Sequence, residues 1–185
     1  MANDCRRFGA GCGQPKRAWL SMITVSDASP LIYLGKLEHF ELLPRLYNVI
    51  QIPLQVEREL IRGIPRETAL TYRGSWLQVV TVVSLDPKGN LLRNYAGLHA
   101  GEAEAIQLAL QSEASLLLID DSTGARAAQE CGVKTTGVIG VLLSAKKAGL
   151  IKAIAPLLLH LTSRTSFRAS HALVKRALTM AGEEA

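Results

Sequence analysis

The sequence has few cysteines and no long apolar run, which narrows the classes of protein to consider. Cys5, Cys12 and Cys131 are odd in number and lack the paired spacing of a zinc site, so we expect reduced thiols in a cytoplasmic protein. Cys131 is expected to pack in the core. No apolar run approaches the ~18 residues of a membrane-spanning helix. Residues 1–21 lack a secretory signal and are expected to form a flexible N-terminal extension.

Two common kinds of catalytic centre are also missing. The four histidines are scattered, and none accompanies a serine or cysteine in a recognisable nucleophile elbow. We expect these histidines to be surface or helix-capping residues. No glycine-rich loop has the strand-loop-helix pattern that cradles phosphates. The sequence therefore disfavours a covalent-nucleophile hydrolase and a nucleotide cofactor.

Length and charge set broad limits on the protein. The 185 residues, 48% of them hydrophobic, can bury one sizeable core, which predicts a single domain over residues 22–185. The formal net charge of +5 and the sequence pI of about 9.3 are compatible with a polyanionic partner. An excess this small also occurs in proteins that bind no polyanion, so charge alone does not decide the function.

The apolar pattern alternates between strands and helices. The predicted strands cover residues 22–26, 47–52, 76–83, 115–119 and 133–136. Helices are predicted between them, the first with Ser29 as N-cap and Pro30 as first helical residue. This rhythm predicts an α/β fold, a three-layer sandwich around a mainly parallel sheet. The sequence from about residue 150 onward predicts a helical C-terminal tail.

Several of the 16 acidic residues fall at the ends of predicted strands. Asp27 follows the first strand, and Asp120 with Asp121 follows the fourth. Reactive groups gather at the carboxyl ends of parallel strands. Carboxylates about 4 Å apart repel by roughly 4 kcal/mol at an effective dielectric of ~20, which a divalent cation would offset. The pattern predicts one shared metal site, although each acid alone is as well explained as an N-cap or a solvated surface residue.

Helical wheels separate the inward-facing from the outward-facing acids of two predicted helices. In the helix over residues 100–112, Glu102 falls on the apolar stripe and Glu104 on the polar face. A carboxylate in an apolar stripe is costly unless it is paired or bound to metal, so Glu102 is the functional candidate. In the helix that follows the second strand, the wheel favours Glu57 over Glu59.

Four short segments resemble, in order and spacing, the motifs of the PIN-domain family. They are Asp27-Ala28-Ser29-Pro30-Leu31-Ile32, Ile52-Pro53 with Val56 and Glu59-Leu60, Gly101-Glu102-Ala103-Glu104-Ala105-Ile106, and Leu118-Ile119-Asp120-Asp121. The likeness covers residues 22–183 and is greatest to short PIN-domain proteins related to the VapC toxins of toxin-antitoxin pairs. Each motif is short, but four in register along a βαβ chain are fairly specific.

The resemblance implies an acidic cleft that binds Mg²⁺ or Mn²⁺ and cleaves RNA. By position, the acids would be Asp27, Glu59, Glu102 and either Asp120 or Asp121, and Ser29 would supply a hydroxyl that helps to order the first acid. The implied metal ligands are Asp27, Glu102 and one or both of Asp120 and Asp121. Glu59 would orient the attacking water or a second cation.

The resemblance leaves two points open. Glu102 stands where many PIN domains carry aspartate, and the Asp120-Asp121 doublet leaves the fourth ligand ambiguous. The family motif also points to Glu59, where the helical wheel favours Glu57.

The resemblance therefore implies a metal-dependent endoribonuclease, and one role it suggests is the toxin of a pair with a small antitoxin protein. The alternative is a nucleic-acid-binding or regulatory PIN-like module with little or no turnover. Three arginines close in sequence to the acids are candidates for contacts with the RNA backbone, namely Arg62, Arg93 and Arg126. Each arginine is also explained as a solubilising surface charge.

The tail predicts self-association. Apolar residues over 150–161 recur at spacings of three and four and exceed what one helix face against a small sheet needs. Together with the habit of PIN-domain proteins to pair, this predicts a two-fold symmetric homodimer.

Overall fold

A computed structural model describes residues 23–64, 74–83 and 95–183 of the chain. The predictions for residues 1–21 and for Arg93 lie outside these ranges. The described strands form one five-stranded sheet in the order β3-β2-β1-β4-β5, and every pairing is parallel. The strands are β1 (Thr24–Ser26), β2 (Ile50–Pro53), β3 (Leu77–Val80), β4 (Leu116–Leu118) and β5 (Thr135–Thr136). The predicted parallel sheet is confirmed.

Helices alternate with these strands and then continue alone. In the described ranges they are α1 (Ala28–Lys36), α2 (Leu42–Tyr47), α3 (Leu54–Gly63), α4 (Ala100–Gln111), α5 (Ser122–Glu130), α6 (Val138–Lys147), α7 (Ala155–Arg164) and α8 (His171–Ala181). The fold is the predicted three-layer α/β sandwich, and its C-terminal part is helical as predicted. No helix in the described ranges has both the length and the apolar character to cross a membrane.

Two of the differences between predicted and observed element boundaries have a clear local cause. The N-cap of α1 is Asp27 and not Ser29, because the Asp27 carboxylate accepts a hydrogen bond from the backbone N–H of Ser29 at 3.3 Å. Helix α2 runs through Tyr47, which was predicted to open a strand. It ends at Asn48, whose φ of 59° is a conformation that asparagine tolerates better than most residues.

The apolar residues of the tail are used mostly by the core. Ile154, Leu158 and Leu161 are buried, because α7 packs its apolar face inward. The large apolar side chains that stay exposed on α7 and α8 are Leu159, Leu173 and Met180. The stripe that motivated the dimer prediction is therefore largely explained by the fold, and the homodimer stays a prediction.

Glu183 fastens the tail to the rest of the domain. Its carboxylate accepts hydrogen bonds from the backbone N–H groups of Ile154 and Ala155, each at 2.8 Å, and pairs with the Lys146 ammonium at 2.5 Å. Two otherwise unpartnered N–H groups at the start of α7 are satisfied in this way. The contact connects the end of the chain to both α6 and α7.

The prediction that Cys131 packs in the core is wrong. Cys131 is exposed and forms the C-cap of α5. The next residue, Gly132, has a φ of 83° and turns the chain away from the helix. Burial at a helix end depends on the direction of this turn, which the local apolar pattern does not encode.

Candidate active site

The site lies where the strand order reverses. Strand β1 is paired with β4, and the chain continues from β1 to one side of the sheet and from β4 to the other. Ligands of open α/β sheets bind at such a switch point, outside the carboxyl ends of the strands. Asp27 follows β1 directly, and its backbone N–H donates to the Leu118 carbonyl at 2.8 Å. Asp120 follows β4, so both aspartates lie at this point.

A cleft of about 400 Å³ opens there and is rich in carboxylates. Its lining residues are Asp27, Ser29, Tyr33, Glu59, His99, Glu102, Asp120, Asp121, Ser166, Phe167 and Arg168. The structure thus brings together every acid that the family motifs pointed to, together with Ser29. The acids come from the ends of two strands and from two helices that are distant in sequence.

Asp27 lies deepest among these acids, with 2% of its surface exposed. Burial raises the pKa of its carboxyl to about 6, because removing the charge from water is costly. The backbone N–H groups of Ala28 and Ser29 oppose this rise by hydrogen bonding, and the nearby charges of Glu102 and Glu59 add to it. Ser29 contacts Asp27 through its backbone N–H, which donates the hydrogen bond by which the Asp27 carboxylate caps α1.

The structure gives different environments to the two aspartates of the doublet. Asp121 is the N-cap of α5 and accepts hydrogen bonds from the N–H groups of Thr123 and Gly124 at 2.7 and 2.9 Å. Oδ1 of Asp120 accepts the N–H of Val138 at 2.8 Å, whereas its Oδ2 is buried without a hydrogen-bond partner in the described ranges. Burial, opposed by the Val138 bond and assisted by the charge of Asp27, raises the pKa of Asp120 to about 7.

Glu102 lies at the start of α4 and is buried, as the wheel predicted, with 8% of its surface exposed. Its carboxylate accepts the backbone N–H of His99 at 3.0 Å, and the His99 ring lies 3.4 Å from the other oxygen. Burial raises the pKa of Glu102, and the hydrogen bond from His99 opposes the rise. His99 is the N-cap residue of α4, which confirms the capping position expected for a histidine.

The second acid of the cleft is Glu59, whereas Glu57 is not among the residues that line it. The wheel favoured Glu57 because it counted Leu54 and Ile61 as buried. These two side chains are 47% and 44% exposed. The buried face of α3 is narrower than the apolar pattern implied, and Glu59 reaches the cleft beside it. Gln55 donates a hydrogen bond to the Glu59 carboxylate at 2.9 Å.

Basic residues are distributed differently from the prediction. Arg62 and Arg126 are exposed on α3 and α5 and do not line the cleft, and Arg126 pairs with Glu130 at 3.9 Å. Arg93 lies outside the described residues. Among the described residues, the arginine that lines the cleft is Arg168, in the segment between α7 and α8. No periodicity or motif marks it, because its position results from a contact between distant parts of the chain.

The donor set fits a hard divalent cation bound partly through water. Within residues 23–64, 74–83 and 95–183, no three His, Cys, Asp or Glu side chains converge as a direct metal cage. Mg²⁺ typically takes one or two direct carboxylates and keeps several waters, so such a cage is not required. The unpartnered, buried Oδ2 of Asp120 is one available ligand atom. Every acidic group in the cleft offers oxygen, the donor that Mg²⁺ and Mn²⁺ prefer.

The fold and the site together define an α/β protein with a parallel sheet and a cluster of carboxylates at its switch point. A family model described as a PIN domain, DUF3368, matches residues 23–183. The chain therefore belongs to the PIN-domain family, whose members are generally nucleases that use divalent metal ions.

A solved structure supports the same fold. The chain is similar to a PilT N-terminus domain protein from the hyperthermophilic archaeon Sulfolobus solfataricus P2, with 25% sequence identity and a TM-score of 0.50. The alignment covers 66% of this chain and 92% of that one. No curated protein matches the sequence significantly.

Proposed function

We propose that this protein is a metal-dependent endoribonuclease that hydrolyses phosphodiester bonds of RNA in its acidic cleft. The observation that carries the proposal is the buried Oδ2 of Asp120, which has no hydrogen-bond partner among the described residues, in a cleft lined by four further carboxylates. A buried charged oxygen without a partner is costly. A bound cation would remove that cost and the repulsion among the acids.

The residues of the cleft have different proposed roles, according to their environments. Asp27 and Glu102 are the most buried acids, and Asp120 has a buried Oδ2 without a partner among the described residues, so these three would hold Mg²⁺ or Mn²⁺. Asp121 is committed to capping α5 and fixes the turn that carries Asp120. Glu59 is only half-buried, and its Oε1 accepts from Gln55, so its carboxylate is held where it would orient a water. When bound, the cation would stabilise negative charge on the phosphoryl oxygens and lower the pKa of a bound water.

The raised pKa values suit a site that takes up a cation. With values of about 6 for Asp27 and about 7 for Asp120, both carboxyls hold protons for part of the time near neutral pH. A nearby cation favours the ionised form of a carboxyl. Metal binding is therefore expected to release protons and to strengthen as pH rises from 5 to 8.

The experiment is cleavage of single-stranded RNA by the purified protein with manganese or with chelator. We expect cleavage with manganese, none with chelator, and a rate at least about 100-fold lower in Asp27→Asn. Asparagine keeps the size and the N-cap hydrogen bond of Asp27 but removes its charge. Undiminished cleavage by Asp27→Asn would show that the activity does not come from this cleft.

A second candidate function is an RNA-binding or regulatory module with little turnover. It is compatible with the absence of a direct metal cage of three His, Cys, Asp or Glu side chains in the described ranges, which water-mediated metal binding also allows. RNA binding without cleavage at any manganese concentration would support this candidate. Arg62, Arg93 and Arg126 remain proposed backbone contacts under both functions, and alanine at such a position should weaken binding to all RNA sequences alike.

A toxin role is proposed on the resemblance to VapC proteins alone. Its partner would be a small antitoxin that co-purifies with the chain from the native cell. Repeated isolation without such a partner would count against this role and would leave the nuclease proposal intact.

A further inference from the structure

The segment between α7 and α8 brings a positive charge to the acidic cleft. Ser166, Phe167 and Arg168 all line it, although they lie far along the chain from the acids. Ser166 and Arg168 are exposed, whereas Phe167 between them is buried. The buried Phe167 holds the segment in place, and Ser166 and Arg168 on either side of it face the cleft.

The anchor is a contact with the helix that begins at the first acid. The Phe167 ring meets Tyr33 of α1 edge to face, with ring centroids 5.1 Å apart and an angle of 77° between the planes. The Phe167 backbone N–H donates to the Thr165 hydroxyl at 3.0 Å, and that hydroxyl donates to the Leu161 carbonyl at 2.6 Å. Since Asp27 caps α1, the contact fixes Arg168 relative to Asp27.

The guanidinium of Arg168 is largely uncommitted. Its one hydrogen bond in the described part of the chain goes from Nη1 to the neighbouring Phe167 carbonyl at 3.4 Å. It forms no ion pair within 4 Å with any described carboxylate, although five carboxylates line the same cleft. An arginine carries five N–H donors in a fork that matches phosphate oxygens. The donors that do not bond to Phe167 are available for a ligand.

We propose that Arg168 binds a phosphate of the RNA backbone next to the scissile bond and holds the strand across the cleft. This inference rests on the proposed nuclease function, because it takes RNA as the ligand. RNA binding needs a positive group here, because the charges of five acids repel the RNA backbone. The guanidinium of Arg168 in the lining of the cleft supplies a local attraction. Arg168 is a substrate-binding residue in this assignment, and its effect should appear in affinity and KM more than in kcat.

The test measures the affinity of a fluorescent single-stranded RNA as a function of salt, with magnesium present and Asp27→Asn in every protein to prevent turnover. Loss of one phosphate contact on a single strand lowers the slope of log K against log salt by about 0.7. We expect Arg168→Ala to show this change together with about tenfold weaker binding. Arg168→Lys should keep the slope and lose part of the affinity, because lysine keeps the charge without the fork.

The matched control is Arg164→Ala, since Arg164 is an exposed arginine of α7 that does not line the cleft. Equal affinity and slope in Arg168→Ala and its parent, or an equal loss in Arg164→Ala, would overturn the assignment. If the wild-type chain still cleaves RNA with manganese, the nuclease proposal survives that result. A chain that neither binds nor cleaves RNA would overturn both proposals.

Discussion

Gly101 lies so close to Glu59 that a methyl group on its Cα would be 2.8 Å from both carboxylate oxygens of Glu59. The start of α4 therefore limits where the second acid can lie. Gly101→Ala should displace the Glu59 carboxylate, because the end of a flexible side chain moves at little cost. We expect slower RNA cleavage, with a free energy of unfolding within about 1 kcal/mol of the parent.

A double-mutant cycle with Glu59→Gln shows whether Gly101 acts through Glu59. If it does, Gly101→Ala should slow cleavage in the wild-type background and have little further effect in Glu59→Gln. An equal effect of Gly101→Ala in both backgrounds would mean that the methyl group disturbs some other part of the site.

Gly137 lies against another acid of the cleft, Asp120, whose carboxylate is held by a hydrogen bond. A methyl group on Gly137 would be 2.4 Å from Oδ1 of Asp120 and 3.4 Å from the backbone oxygen of Ile119. Oδ1 also accepts the N–H of Val138 at the start of α6. Gly137→Ala should therefore lower the free energy of unfolding by about 1–3 kcal/mol, measured by urea titration. A free energy of unfolding as high as that of Gly101→Ala would contradict this.

The buried aspartates should make the metal-free protein less stable as pH rises. Burial raises the pKa of Asp120 to about 7, well above the ordinary value near 3.8 that applies when the chain is unfolded. Between these values the folded state holds more protons than the unfolded state, so stability is full below pH 4 and falls up to about pH 7. We expect a loss of about 3–4 kcal/mol between pH 4 and pH 7 by urea unfolding in chelator.

The control for this pH dependence is Asp120→Asn, which has no carboxyl to ionise. Its stability should change less between pH 4 and pH 7 than that of the wild type, and added manganese should raise its Tm less. Parallel pH profiles for the two proteins would show that Asp120 does not carry the effect.

The homodimer predicted from the tail is testable by light scattering at micromolar concentration. The apolar side chains available for it on α7 and α8 are Leu159, Leu173 and Met180, which are 67%, 45% and 65% exposed. We expect a dimer mass that falls to the monomer mass in Leu159→Glu combined with Leu173→Glu. A monomer mass for the wild-type chain, also after removal of residues 1–21, would defeat the prediction.

Much of the fold and of the acidic cleft could be predicted because the relevant signals are local. Strand and helix periods determine the alternation, and an acid at a strand end stays at the sheet edge whatever the rest of the chain does. A strand end predicts Asp27 as a site residue, and an apolar helical stripe predicts Glu102. The sequence locates the doublet Asp120-Asp121 but does not distinguish the environments of the two aspartates. Their difference depends on the Val138 N–H from a later helix.

What could not be predicted depends on contacts between distant segments. Arg168 lines the cleft in a segment whose Phe167 packs on Tyr33, and neither residue of that ring contact belongs to a motif. The choice between Glu57 and Glu59 depends on how α3 is rotated against its neighbours. The helical wheel favours Glu57 because it treats Leu54 as buried, whereas Leu54 is about half exposed.

The most direct test of the proposed site compares two glutamates of one helix. Glu102 lines the cleft, whereas Glu104, two residues later on α4, does not. The measurement is the manganese-dependent rate of RNA cleavage by Glu102→Gln and Glu104→Gln. The acidic-cleft account predicts a loss of about 100-fold or more in Glu102→Gln and a near-wild-type rate in Glu104→Gln. Equal rates in the two variants would contradict the account.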